Sequence, residues 1–322
     1  MARNPPRPAP GSRPGEGQPE VVAVETAIDL AYRHWEAGQA QQAEILCRRV
    51  LEVWPGQADV LHLLGLMAHA YGKQDAAIDY LKQACAAPGA PASYFNNLGE
   101  ICRRLGRLAE AEQAARRAAA LDDAAPAIWN NLGIILQEAG KLEESALCLR
   151  RVLVLAPDFA EGHNNLGNTL RLLMQLDAAA DCYRQAIHLN PLYTDALSNL
   201  GGLTGELGQP DEGLDLLRRA IEIDPHMGDA YANAARLEGD RGHWPRALGW
   251  LEALRDFAPN HPRLPLGLSR VLRELGRLDE ALAMADAVLA AAPGNAAALE
   301  ARELALRAQH GRDAPSSARG DQ

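Results

Sequence analysis

At 322 residues the chain is long enough for two ordinary globular domains, yet aromatic residues make up only 5% of it. A formal charge of −10 argues against nucleic acid as a partner, and no apolar run approaches the length of a membrane span, so no membrane insertion is expected. Ala, Leu and Arg are abundant, a composition that predicts an all-helical fold.

The chain opens on MARNPPRPAPGSRPGEGQPE, which carries basic residues but no hydrophobic core region. No secretory signal is read there, so a cytoplasmic location is expected. The Pro, Gly and Arg content predicts a disordered tail over 1–20. From Val24 the sequence repeats every 34 residues without insertion or deletion. Eight helix-turn-helix units follow, at 24–57, 58–91, 92–125, 126–159, 160–193, 194–227, 228–261 and 262–295. Residues 296–309, AAALEARELALRAQ, predict one amphipathic capping helix with Glu300, Arg302, Glu303 and Arg307 toward water. A second disordered tail is expected at 310–322; its Arg319-Gly320-Asp321 resembles an adhesion tripeptide, a meaning set aside in a chain without an export signal.

Inside each unit the eighth residue is small (Ala31, Gly65, Gly99, Gly133, Gly167, Gly201, Ala235, Ser269). The twentieth is small as well (Ala43, Ala77, Ala111, Ser145, Ala179, Gly213, Ala247, Ala281). Such columns predict two helices crossing closely enough to exclude bulky side chains. A glycine between the two helical stretches suits a left-handed helix end, and only Met174 breaks that column, predicting a strained or altered fifth turn. Pro262 and Pro265 predict a late start for the eighth unit's first helix, near Leu264. The five cysteines include no CxxC and read as small buried helix residues in a reducing compartment. His62 and His69 share a helix face at a spacing of seven, which is poor evidence for a metal site. No HExxH, phosphate-binding loop or GxSxG is present; no cofactor and no catalytic activity are expected.

The Trp129, Leu132, Gly133 pattern, with Ala179, Tyr183 and the closing prolines, resembles the tetratricopeptide repeat family across 24–309. The resemblance implies an all-α, right-handed α-solenoid of eight units plus the capping helix, whose first helices line a concave groove. Helix periodicity then turns Asn97, Asn131, Asn165, Asn199 and Asn233 toward that groove, with Asn96, Asn130 and Asn164 as a second short column and Asn168 beside it. A primary amide can bind a peptide unit through both its C=O and its N–H, so the column is suited to gripping an extended chain. It resembles the asparagine ladder in the repeats of O-linked N-acetylglucosamine transferases. Asp29, Leu63 and Gly267 depart from that register. In the family, asparagine here also satisfies local polar groups, which is the competing interpretation.

Acidic Glu25, Asp29, Glu36 and Asp59 sit at the N-terminal end of the expected groove, whereas Arg103, Arg104 and Arg171 supply cations in the middle. Arg236, Arg263, Arg270 and Arg273 gather toward the C-terminal end. The carboxylate clamp of chaperone-binding members is not expected, because Asp229 stands where a cation is needed. The function expected is a non-catalytic scaffold of bacterial type that binds an extended peptide segment of partner proteins. The alternative is a substrate-recognition module of a protein-modifying transferase, a glycosyltransferase or sulfotransferase, whose catalytic domain is not in this chain. Self-association is a third possibility.

Overall fold

The computed structural model describes residues 24–313, with side chains through His310. These residues form seventeen α-helices and no strand. The chain divides into two compact units, with the boundary between Asp122 and Asp123. The first unit holds three helical hairpins: α1 (Val24–Glu36) with α2 (Ala40–Val53), α3 (Ala58–Ala70) with α4 (Gln74–Ala86), and α5 (Ala92–Arg104) with α6 (Leu108–Leu121). The second begins with α7 (Pro126–Glu138) and α8 (Leu142–Leu155), α9 (Ala160–Leu172) and α10 (Leu176–Leu189), then α11 (Thr194–Glu206) and α12 (Pro210–Ile223). It continues with α13 (Gly228–Asp240) and α14 (Trp244–Phe257), α15 (Leu264–Glu274) and α16 (Leu278–Ala291), and α17 (Ala296–Asp313). Within each unit the hairpins stack on their neighbours in chain order, the architecture of an α-solenoid.

The tail expected at 1–20 lies outside the described residues, as do 314–322 with the Arg319-Gly320-Asp321 tripeptide. Residues 310–313, placed by sequence in the second tail, instead extend α17.

Every hairpin turn has one construction. In α5, the Gly106 N–H donates to Arg103 O at 2.9 Å and the Arg107 N–H to Cys102 O at 2.9 Å. This paired closure of orphan carbonyls needs a left-handed residue just past the helix, and Gly106 supplies φ 71°. The fifth turn is not differently shaped: Met174 takes φ 59° and its N–H donates to Arg171 O at 3.0 Å, while Gln175 N–H reaches Leu170 O at 2.9 Å. The geometry is kept and the side chain bears the strain.

The two small columns face each other across each hairpin. A Cβ on Gly99 would lie 3.2 Å from Ala111 O, and one on Gly201 would lie 2.9 Å from Gly213 O. Where serine enters a column it bonds across the same crossing: Ser145 Oγ donates to Gly133 O at 2.7 Å, and Ser269 Oγ to Ala281 O at 2.8 Å. Behind the crossings, Leu81, Leu149, Leu217 and Leu251 are buried at one equivalent position of α4, α8, α12 and α14, where α6 has the buried Ala115. Tyr183 takes that place in α10, fully buried, with its hydroxyl carried through to the first-helix side. The late start of α15 at Leu264 follows from the two flanking prolines. Ala298 and Ala305 of α17 are fully buried, Ala305 in the same apolar cluster as Leu268 and Leu272.

Candidate functional site

In the first unit the ladder position is Asn97, on α5. Its amide nitrogen lies 2.9 Å from His62 Nε2, on α3. An amide nitrogen only donates, so Nε2 accepts and the neutral ring carries its proton on Nδ1. That nitrogen faces the Tyr32 hydroxyl at 3.1 Å, which in turn donates to Asp59 O at 3.0 Å. The imidazole stacks on Tyr94, centroids 4.0 Å apart and planes within 11°. Burial lowers His62 to a pKa of about 4, against the pull of Asp59. Burial pushes the Asp59 carboxyl up, but hydrogen bonds from Gln57 and Tyr94 outweigh it and leave it below its usual range. The three first helices of this unit are thus tied by one polar chain.

The second unit repeats the tie with amides and one serine. Asn165 Nδ2 donates to Asn130 Oδ1 at 3.0 Å, and Asn199 Nδ2 to Asn164 Oδ1 at 3.0 Å. Asn233 Nδ2 reaches the Ser198 carbonyl and hydroxyl, each at 3.3 Å. Each of these bonds, like that of Asn97, spans 35 residues, from a ladder position to the residue one place earlier in the preceding repeat. The second column is therefore the acceptor of the first. Asn130 and Asn164 are buried, at 3% and 4% exposure, and do not line an open face as expected. Asn233 is also buried, at 9%. Asn165 and Asn199 are half-buried, and Asn131 and Asn96 are likewise engaged. Asn97, Asn165, Asn199 and Asn233 each use an amide donor within the protein.

Asn168 Oδ1 accepts from both Asn199 Nδ2, at 3.0 Å, and the buried Tyr183 hydroxyl, at 2.8 Å. These residues border a cavity of about 620 Å³ whose lining includes Gln137, Arg171 and Glu206. The expected cations are all paired. Arg103 bonds Glu100 at 2.8 Å, Arg171 bonds Glu206, and Arg273 bonds Glu274 at 2.6 Å. Arg270 meets Asp240 at 2.7 Å. Arg236 meets Glu206 at 3.3 Å and donates to Gly202 O at 2.9 Å. Burial pulls the Arg236 guanidinium below its ordinary value, with Glu206 and Asp240 opposing.

From the sequence Asn130 and Asn164 form a second column, but their role as acceptors was missed, as were His62 and Ser198 in the same register at steps of 34 and multiples of it. It also missed Tyr183 as a hydroxyl donor. Among the described residues no group of three or more His, Cys, Asp or Glu could hold a metal ion, and no helix is long and apolar enough to cross a membrane.

Signatures described as tetratricopeptide repeat match residues 28–93, 92–124, 126–159, 160–193, 206–264 and 240–304. The chain belongs to the tetratricopeptide repeat family. No curated protein matches it. Among solved structures, a tetratricopeptide repeat protein from Parabacteroides merdae is similar at 19% identity and a TM-score of 0.67, covering 77% of this chain and 98% of its own. PilF of Pseudomonas aeruginosa is similar at 16% identity and 0.54, over 65% and 95% of the two chains. The Cut9-Hcn1 hetero-tetramer of the APC/C gives 18% identity and 0.56 over 66% of this chain; this chain spans only 42% of that one. At these identities the likeness is one of fold. The tetratricopeptide repeat assignment brings a protein-interaction role, without a partner.

Proposed function

We propose that the chain is a non-catalytic scaffold that binds an extended segment of a partner protein on the first-helix face of its second unit. The observation that carries this reading is the pairing of Asn165 and Asn199. Each is half-buried and each gives an amide bond to the preceding first helix, and Asn199 borders the cavity with Arg171 and Glu206. A primary amide has two donor hydrogens and two acceptor lone pairs. Asn165 spends one hydrogen and keeps the other, while Asn199 gives both of its hydrogens to Asn164 and Asn168 and keeps its carbonyl oxygen for a peptide N–H. Arg171 and Glu206, bonded to each other, can open so that Arg171 donates to a C=O and Glu206 accepts from an N–H of a bound chain. Asn131 extends the row, and Asn97, Asn96 and Arg103 of the first unit are a separate surface of the same type. The buried Asn130 and Asn164 act through the half-buried amides, and the buried Asn233 through Ser198, rather than on a ligand.

The experiment is titration of two unrelated binding peptides, taken from an array of random dodecapeptides, against the native protein and Asn165→Ala with Asn199→Ala. Loss of two neutral hydrogen bonds costs about 1–3 kcal/mol, a weakening of about five- to 150-fold, similar for both peptides because the backbone is common to them. Circular dichroism at the titration temperature establishes that the variant is folded. Unchanged affinities for both peptides contradict the reading. The same row of amides favours a second reading, a recognition module serving a transferase on another chain; a stoichiometric transferase in native purification is its test.

A further inference from the structure

Between consecutive first helices of the second unit one pair of residues recurs: Asn130 with Asn165, Asn164 with Asn199, Ser198 with Asn233. At the next step both members are missing. Ala232 stands where the acceptor belongs and Gly267 where the amide belongs. Ala232 and Gly267 line a cavity of about 340 Å³ between α13 and α15, a size within the range of ligand pockets. Its apolar lining includes Trp244, Leu251, Leu266 and Val271, and every charged residue lining it is an arginine: Arg236, Arg263 and Arg270.

The arginines have acidic neighbours, but these lie outside the lining. Asp240 is 2.7 Å from Arg270, and Glu206 is 3.3 Å from Arg236. Asp229 is 3.5 Å from Arg263, a loose pair with both side chains about half exposed, so a ligand carboxylate replaces it at small cost. The Arg270 guanidinium lies 5.7 Å from the Trp244 ring centroid, which holds cation and aromatic wall together. A guanidinium carries five donors, so Arg270 can accept a second carboxylate beside Asp240.

We propose that this cavity is an anchor site for an acidic segment of a partner protein. An apolar side chain of leucine or phenylalanine size enters among Trp244, Leu251 and Val271, and carboxylates beside it pair with Arg263 and Arg270. A basic segment would meet three guanidinium groups, and a bare anion would leave the tryptophan-lined space empty. The site rests on the peptide-binding reading above, but not on its asparagines.

The test begins with selection of a random dodecapeptide phage library on the native protein, in parallel with Gly267→Asn. That variant returns the side chain that fills the equivalent space one repeat earlier. The atoms nearest its Cβ all belong to the Leu251 side chain, Cδ2 at 3.1 Å and Cδ1 at 3.5 Å, so a small shift of that leucine makes room. The expected consensus is an apolar residue within two positions of at least two Asp or Glu, absent from selections on Gly267→Asn. For the best peptide, Gly267→Asn should weaken binding by about tenfold or more. Arg270→Gln, which needs no added room, should weaken it by about fivefold and flatten its salt dependence. No enrichment, a consensus lacking either element, or equal binding to both variants overturns the proposal. Titrating the same peptide against Asn165→Ala with Asn199→Ala separates the two readings. Loss there with none in Gly267→Asn leaves the amide face standing and removes the anchor; the reverse keeps the anchor and removes the amides.

Discussion

His62 shows what a single side chain contributes to this fold. Its ring accepts from Asn97, donates toward Tyr32 and stacks on Tyr94, all in the neutral state. Its folded pKa of about 4 lies below the ordinary 6.5, so between those values the unfolded chain binds more protons than the folded one. Stability contributed by the neutral ring is therefore complete above pH 6.5 and declines as pH falls toward 4, by at most about 3 kcal/mol. Asp59, held below its usual range, adds a loss of the same sign at lower pH. Urea midpoints of the native protein and His62→Gln, compared between pH 7 and 4.5, check this. The native protein should lose more, and parallel profiles would refute it. Asn165 makes a second case at this scale. Removing its amide leaves the buried Asn130 oxygen without that donor, which costs about 1–3 kcal/mol, whereas an exposed substitution stays within about 0.5. In a double-mutant cycle, Asn165→Ala with Asn130→Ala should cost less than the sum of the two single changes. Additivity would show that the bond contributes nothing.

At the scale of the element, hairpin turns and helix crossings were legible because both depend on residues close in sequence. Glycine at every turn but one, and small residues at the eighth and twentieth positions, impose their geometry wherever the backbone demands left-handed φ or close approach. The destination of the asparagines was not legible. A periodicity of 3.6 fixes which way Asn165 leaves its helix, but not that an acceptor waits 35 residues earlier. Whether an amide faces water or a neighbour depends on how closely adjacent repeats stack, and no local pattern encodes that distance. Met174 tests the turn directly. It holds φ 59° with its side chain 76% exposed, so it bears left-handed strain without packing in return. Met174→Gly relieves about 1–2 kcal/mol of strain and loses about 0.5–1 through the freer unfolded chain. A net gain of about 0.5–1 kcal/mol is expected in the urea midpoint. A destabilised variant would mean that the methionine side chain has a role in packing.

At the scale of the molecule, the chain is two compact stacks of tetratricopeptide hairpins in which rows of polar side chains knit one repeat to the next. Those rows serve stability first, and where an amide is only half-buried its spare capacity is what the account gives to a ligand. The arginines at α13 and α15 follow the same logic, being paired inside the protein yet turned on a cavity where Ala232 and Gly267 stand in place of the polar pair. The most direct test of peptide binding on the first-helix face is hydrogen–deuterium exchange of the native protein with and without a saturating selected peptide. Slowed exchange is predicted in α9, α11 and α13, with α10 and α12 unchanged. Protection confined to the second helices, or spread equally over both, would contradict it.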